Sequence, residues 1–81
     1  MAVYKFLGTE LAISSANTVS SAKVVRVVNT SGSVTVLTVA NTSGTYGNTT
    51  IAPNEVIIVE KATTDTVAGA NLKAAPIAYR N

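Results

Sequence analysis

The length and composition of the chain exclude several classes of protein. With 81 residues it forms one domain at most, and with 47% hydrophobic residues it is too apolar to be disordered. It contains no Cys and no His, which excludes disulfides, thiolate metal sites and the usual catalytic bases and nucleophiles. The net charge of +2 arises from scattered residues that form no basic stripe, so we expect no nucleic-acid partner.

Short segments rich in valine and threonine, each bounded by turn residues, predict a β protein. The predicted strands, in chain order, are 3–7, 10–14, 22–28, 33–40, 46–51, 55–60 and 77–80. Gly47 and Asn48 make 46–51 the weakest of them. Pro76 fits the start of the last strand or an edge position, because proline cannot donate a hydrogen bond to a sheet.

One tetrapeptide occurs twice, as Asn29-Thr30-Ser31-Gly32 and Asn41-Thr42-Ser43-Gly44, each time after a valine-rich run. Asn and Gly tolerate the left-handed backbone of tight turns, so both copies predict turns between strands. The threonine- and aspartate-rich segment 63–70 predicts a connector with a helical turn or two at most. The expected fold is therefore all-β, a small antiparallel β-sandwich or barrel of about six to seven short strands. We expect one domain over 1–81, with 1–14 and 76–81 as contact arms.

Three of the predicted strands are apolar on both faces. In 33–40, for example, one face carries Val34 and Val36 and the other carries Leu37 and Val39. A sandwich strand with one face in water alternates apolar and polar residues, and burying one Val or Ile side chain contributes roughly 1.5–3 kcal/mol. This pattern favours a subunit that packs against copies of itself or against a partner. The alternative is a closed, highly twisted barrel with a few exposed valines.

Few residues suit catalysis. Ser20 or Ser21 beside Lys23 matches a Ser–Lys dyad, but loop residues before a strand are the better interpretation. Glu55 and Glu60 lie five residues apart in one strand and so point to opposite faces, which fits charges that guard a hydrophobic edge better than a glycosidase pair. We therefore predict no enzyme activity and no catalytic residue.

Ligand sites are equally sparse. Asp65 with its neighbouring threonines lacks the loop and the six to eight oxygens of a calcium site, so we predict a turn cap, no metal and no cofactor. Three Asn-X-Ser/Thr triplets, beginning at Asn29, Asn41 and Asn48, match the glycosylation pattern by chance in threonine-rich turns. The four aromatic residues suit packing better than a sugar-stacking platform; they are Tyr4, Phe6, Tyr46 and Tyr79.

No targeting or membrane segment is predicted. Residues 1–8 lack the continuous apolar region and the cleavage site of a signal peptide, and no apolar run approaches the ~18 residues of a membrane span. We expect a protein that is made in the cytoplasm, has no membrane partner and stays soluble until it assembles.

Residues 22–80 resemble, in style, the small virion proteins of tailed bacteriophages, especially capsid decoration (cement) proteins. The likeness rests on a turn at 52–55, the apolar run 56–61, a Thr-Asp-Thr connector at 64–66 and a closing segment at 76–78. Neck, tail and fibre-base proteins share this style. The resemblance implies a β-sandwich or β-barrel subunit bound in many copies to the lattice of the major capsid protein.

On this basis we expect a decoration protein on the capsid surface of the virion, made in the host cytoplasm. It would stabilise the capsid lattice and self-associate as a dimer or trimer. The alternatives are a neck, tail or fibre-base subunit, or a small carbohydrate-binding module on the virion surface. The termini are the expected partner interface: Val3, Tyr4, Phe6, Leu7, Pro76, Ile77, Tyr79 and Arg80. The competing interpretation is that both termini complete the subunit's own sandwich.

Overall fold

The computed structural model describes residues 3–80, with side chains for residues 5–78, and confirms the all-β prediction. Its eight strands are β1 Val3–Phe6, β2 Leu11–Ala12, β3 Val24–Asn29, β4 Thr35–Asn41, β5 Gly44–Ile51, β6 Val56–Glu60, β7 Thr66–Ala68 and β8 Leu72–Arg80. Within this described range no helix is long and apolar enough to cross a membrane.

The strands form two antiparallel sheets. The five-stranded sheet has the order β1-β8-β3-β6, and the short β2 also pairs with β8. The three-stranded sheet has the order β5-β4-β7. The chain crosses from one sheet to the other after β3, after β5, after β6 and after β7, so the loops at these points hold the two layers together.

The core lies between the two sheets. Alternate residues of the central strand β3 point into it, and Val25 and Val27 are fully buried. Across from them lie Leu37 of β4, Ile51 of β5 and Val67 of β7. This alternation follows from the period of two in an extended strand, whose successive side chains point to opposite faces.

One side of the layered structure is closed by residues 13–19. The main chain of Ile13 bonds to Leu72 and Gly69, and Asn17 exchanges two hydrogen bonds with Val67 of β7. Ile13 and Val19 are fully buried there. The opposite side, between the edge strands β5 and β6, has no such segment among the residues that the structure describes. The two sides of the subunit therefore differ.

The segment 63–70, predicted as a connector with a helical turn or two at most, contains no helix, and part of it is a strand. Thr66–Ala68 forms β7 and pairs with Thr38–Ala40 of β4, while Asp65 closes the preceding turn through its main chain and side chain. The hydrogen bonds available from β4 outweigh the weak local preference of three residues. This extra strand brings the count to eight, above the predicted six to seven.

Pro76 lies inside a strand and not at its start. β8 begins at Leu72, four residues earlier, and lies between β3 on one side and β1 and β2 on the other. Pro76 pairs with Val25 of β3, and its carbonyl accepts a hydrogen bond of 2.9 Å from the Leu7 N–H. The missing proline N–H would point to the same side as this carbonyl, away from β3, so the ladder between β3 and β8 loses no hydrogen bond.

Three consecutive residues, Val19, Ser20 and Ser21, have left-handed φ angles of 54°, 59° and 56°. This conformation costs a non-glycine residue roughly 1–2 kcal/mol. We expect Ser20→Gly to raise the free energy of unfolding by about 0.5 kcal/mol, because relief of strain exceeds the added entropy of the unfolded chain. Urea denaturation would measure it. The matched variant Ser14→Gly lies at an exposed position without a positive φ, and an equal gain there would contradict the explanation.

Candidate functional site

The two terminal strands form a ribbon that extends beyond the body of the sheet. β1 pairs with residues 77–80 of β8 in antiparallel register, with Phe6 opposite Ile77. β3 pairs with β8 only as far as Pro76, so this terminal ribbon (β1 with residues 77–80) has no third strand beside it. A two-stranded ribbon alone is marginally stable in water, which makes it a natural element to be completed by a partner.

The terminal ribbon exposes two large apolar side chains. Phe6 is 66% exposed and Leu7 is 56% exposed. Leu7 also borders a groove with a volume of about 460 Å³, which we call the ribbon groove. Its lining also includes Val24, Ile77 and Ala78, together with Lys23 and Thr63. The groove and the two exposed side chains together form an apolar feature on the described surface.

The structure brings the predicted interface residues into this one region. Phe6 and Leu7 are exposed, whereas Pro76 and Ile77 are buried within the subunit and line the ribbon groove. The side chains of Val3, Tyr4, Tyr79 and Arg80 lie outside the described residues. The termini pair with each other inside one subunit, so they are not two separate arms, and their contact with a partner stays a prediction.

A second feature spans the open side between the sheets. The hydroxyl of Tyr46, on β5, donates a hydrogen bond of 2.7 Å to Oδ2 of Asp65 in the loop before β7. The same carboxylate oxygen accepts the Ala62 N–H at 3.1 Å. Behind it, the buried Nζ of Lys61 donates to the carbonyl of Ala22 at 2.7 Å and to that of Ala62 at 3.2 Å. This polar contact ties the edge strand β5 to the loop by which the chain crosses between the sheets after β6.

Below Tyr46 lies a smaller hollow of about 200 Å³, which we call the edge hollow. It is walled by apolar side chains of both sheets and rimmed by Asn48, Thr49 and Glu60. Tyr46 is 53% exposed, so part of its side chain is accessible to a ligand while its hydroxyl is held by Asp65. Phe6 lies on the terminal ribbon and does not line this hollow, so among the aromatic side chains that the structure describes only Tyr46 borders it.

The hydrogen bond to Asp65 raises the pKa of Tyr46 above its usual 10.0, with smaller contributions from burial and from the charge of Asp65. Burial lowers the pKa of Lys61 from its usual 10.5, and the charge of Asp65 opposes that effect. The hydrogen bond of the protonated Tyr46 stabilises the folded state, and this stabilisation is fully present below pH 10. It is lost as the pH rises from 10 through the higher pKa that Tyr46 has in the folded state. The lowered lysine pKa acts in the opposite sense, because its penalty fades as pH rises towards 10.5.

We expect the free energy of unfolding of the wild-type protein to fall above about pH 10 as Tyr46 ionises, and we expect Tyr46→Phe to lack this fall. The measurement is urea denaturation of both proteins at a series of pH values from 7 to 11. The difference between the two plots of the free energy of unfolding against pH gives the contribution of Tyr46, because Lys61 is present in both proteins. A difference that does not shrink above pH 10 would contradict the role of this hydrogen bond.

The residues weighed for catalysis are engaged in structural contacts or lie apart. Ser20 and Ser21 sit in the left-handed turn, where the Ser21 N–H bonds to Thr18. Glu55 accepts the Ala52 N–H at 2.8 Å, and Glu60 lies on the exposed edge of β6. Among the described residues, no group of three or more His, Cys, Asp or Glu could hold a metal ion.

Both copies of the repeated tetrapeptide form turns, as predicted, through the same local hydrogen bond. Oδ1 of Asn29 accepts the Ser31 N–H at 2.9 Å, and Oδ1 of Asn41 accepts the Ser43 N–H at 2.8 Å. Their surroundings differ, because Asn29 is fully buried and Asn41 is exposed. The burial of Asn29 was not foreseen, since identical local sequence carries no signal for it.

Comparison with protein-family models, with curated proteins and with solved structures finds no match to this chain. The functional argument therefore rests on the residues and their geometry.

Proposed function

We propose that this protein is a non-catalytic structural subunit of a tailed-bacteriophage virion, specifically a capsid decoration protein that binds the lattice of the major capsid protein. The observation that carries the proposal is the terminal ribbon. It exposes Phe6 and Leu7 beside the ribbon groove, and apolar anchors of this kind in a groove dominate the energy of protein interfaces.

The distribution of charge supports a packed role. No charged residue occurs from residue 27 to residue 54 or from 66 to 72, so β4, β5 and β7 carry none. The outer face of the three-stranded sheet consists of small neutral side chains, and Val34 and Val36 are exposed there or beside it. The centres of protein interfaces are depleted in charge in the same way.

The mechanism of such a protein is binding that favours the assembled state. A subunit that binds the assembled shell, and not its free components, stabilises the shell by mass action, by RT ln(1 + [L]/Kd) for each site. Repetition of a weak contact around a symmetric lattice adds avidity without new contacts. No reacting group is required, which fits the structural use of the carboxylates of Glu10, Glu55 and Asp65.

The test is co-sedimentation with empty capsids. We expect the double variant Phe6→Ser/Leu7→Ser to bind on the order of 10- to 100-fold more weakly than the wild type, because two exposed anchors are lost. Both residues are exposed, so the free energy of unfolding should change by less than about 0.5 kcal/mol for each.

The matched control is Val34→Ser, which removes a similarly exposed apolar side chain from the loop before β4. It should keep most of the binding if the terminal ribbon is the contact surface. Equal binding by the wild type and the ribbon variant would remove the ribbon from the proposal. Absence of binding by the wild type would contradict the capsid role and favour a neck, tail or fibre-base subunit.

A second candidate is a small carbohydrate-binding module, and Tyr46 is the observation that favours it. Its half-exposed ring borders the edge hollow, where Asn48 and Glu60 offer polar groups to a sugar. Glycan-array binding by the wild type that is lost in Tyr46→Ala but kept in Phe6→Ser would support this candidate. An array without binding would contradict it.

A further inference from the structure

The five-stranded sheet ends in two edges that differ in charge. β1 forms one end of the sheet path and β6 forms the other. β1 carries Lys5, which is exposed, whereas β6 ends in the exposed Glu60 and is preceded by the exposed Glu55. Among the described side chains the ion pair within the subunit is Arg26 with Glu10, so neither Lys5 nor Glu60 is neutralised internally. Opposite charges on the two edges attract unlike edges and separate like ones.

The two edges also have free backbone groups. The Lys61 N–H bonds to the Lys23 carbonyl and the Asn29 N–H bonds to the Glu55 carbonyl, so the odd-numbered residues of β6 face β3. The alternation of an antiparallel ladder then directs the N–H and C=O groups of Val56, Ile58 and Glu60 outward. On β1, the Leu7 N–H bonds to the Pro76 carbonyl, so the main-chain groups of Tyr4 and Phe6 face outward.

Strand direction favours joining unlike edges. Every neighbouring pair in the path β1-β8-β3-β6 is antiparallel, so β1 and β6 run in opposite directions. A second copy in the same orientation therefore presents its β1 to β6 as the next antiparallel strand. The lengths agree, since β1 has four residues and β6 has five.

We propose that copies of this protein associate head to tail, with β1 of one copy added to β6 of the next to form a continuous sheet. This inference deepens the proposed function by naming a second copy as the partner of these edges, and it rests on that function's premise of a multi-copy subunit. A pairing of β6 with β6 is disfavoured, because it brings Glu55 and Glu60 of both copies to one seam.

One register satisfies the outward groups of both strands and pairs Phe6 with Ile58 and Tyr4 with Glu60. Phe6 and Ile58 lie on the same face of the sheet. Phe6 is the cross-strand partner of Ile77, which shares a face of β8 with Ala75. Arg26 is the partner of both Ala75 and Ile58, so all of these side chains lie on one face. The exposed Phe6 would thereby pack beside the half-buried Ile58, while the exposed Leu7 at the ribbon groove would stay available to the capsid. This register shifts each copy by two residues, about 7 Å along the strands, which gives tilted strands in a closed ring or an open helical array.

Charge reversal and sedimentation velocity over a concentration series test the inference. Wild-type protein is expected to form species larger than a dimer as concentration rises, and less readily in high salt. At the end of the seam where Tyr4 meets Glu60, Lys5→Glu places an acidic residue on both edges and Glu60→Lys places a basic residue on both edges. Each variant alone should therefore need on the order of tenfold higher concentration to associate. An equimolar mixture of the two should associate like the wild type, because each acidic edge then meets a basic one.

Both variants change exposed side chains, and circular dichroism would verify their folds. Ile58→Pro tests the edge pairing independently of charge. It removes an outward N–H that would bond to β1 of the next copy, so it should also weaken association, and it leaves the bonds to β3 in place. Wild-type protein that stays monomeric at all concentrations would overturn the inference, as would unimpaired association of Lys5→Glu or a mixture that does not associate. A monomeric protein that still binds capsids would overturn the edge pairing alone, and an associating protein that does not bind them would overturn the capsid role alone.

Discussion

Asn29→Ala is expected to lower the free energy of unfolding by about 3–5 kcal/mol, a large share of the roughly 5–15 kcal/mol of a typical domain. Nδ2 of Asn29 donates to the carbonyls of Ser33 at 2.8 Å and Ile51 at 3.1 Å. Oδ1 accepts from the N–H and the hydroxyl of Ser31, both at 2.9 Å.

These bonds tie the two loops by which the chain crosses between the sheets, after β3 and after β5. Alanine removes all of them and takes a partner from the buried carbonyl of Ile51 and from partly buried groups of Ser31 and Ser33. A buried polar group that loses its partner costs about 1–3 kcal/mol, and the partly buried groups add smaller losses. Urea denaturation of the wild type and the variant measures the loss.

Asn41→Ala is the matched control, because it changes the same residue of the second copy of the tetrapeptide. Asn41 is exposed, and its side chain contributes the single turn hydrogen bond to Ser43. Water replaces that bond, so we expect a loss of about 0.5–1 kcal/mol. Similar losses in the two variants would show that the hydrogen bond within the turn determines the stability, and that the bonds of Asn29 to Ser33 and Ile51 add little.

Gly69→Ala is expected to lower the free energy of unfolding by about 2–3 kcal/mol through overpacking. A Cβ atom at this position would overlap the side chain of Leu72 and would approach the carbonyl oxygen of Val36 to 2.7 Å. Leu72 is fully buried and Val36 O belongs to the backbone of β4, so neither can move freely. The main chain of Gly69 is also held, since its N–H donates to Ile13 at 2.8 Å.

Thermal unfolding would register this change as a lower Tm by about 10–20 °C, at roughly 4–8 °C for each kcal/mol in a domain of this size. Gly47→Ala is the control, because it lies within β5 and a Cβ atom there meets no atom within 4 Å. We expect Gly47→Ala to change the Tm by only a few degrees in either direction. An equal drop in both variants would indicate a general cost of adding a methyl group.

Much of the fold follows from local patterns in the chain. The valine-rich runs around Val25, Leu37 and Ile57 became strands with small shifts at their ends, and the repeated tetrapeptide formed turns. β7 was missed because its three residues carry little signal of their own and depend on pairing with β4. The first half of β8 was missed because Leu72-Lys73-Ala74-Ala75 has few of the β-branched residues that mark strands.

The candidate site could be predicted only in part. Exposed apolar residues near the N-terminus were expected, and Phe6 and Leu7 are exposed. The contact between Tyr46 of β5 and Asp65 of the loop before β7 joins residues nineteen positions apart, and nothing in the local sequence of either residue indicates it. The opposite charges of β1 and β6 indicate an interface only once the strand order places these strands at the two edges of one sheet. Composition and periodicity do not determine that order.

The most direct test of the multi-copy structural role is the number of copies of this protein in each purified virion, measured by quantitative mass spectrometry against the major capsid protein. A decoration protein that follows the capsid lattice predicts on the order of hundreds of copies per particle. A count of about a dozen or fewer would match a ring at the neck or tail and would contradict the capsid role. Absence from the particle would contradict the virion role altogether.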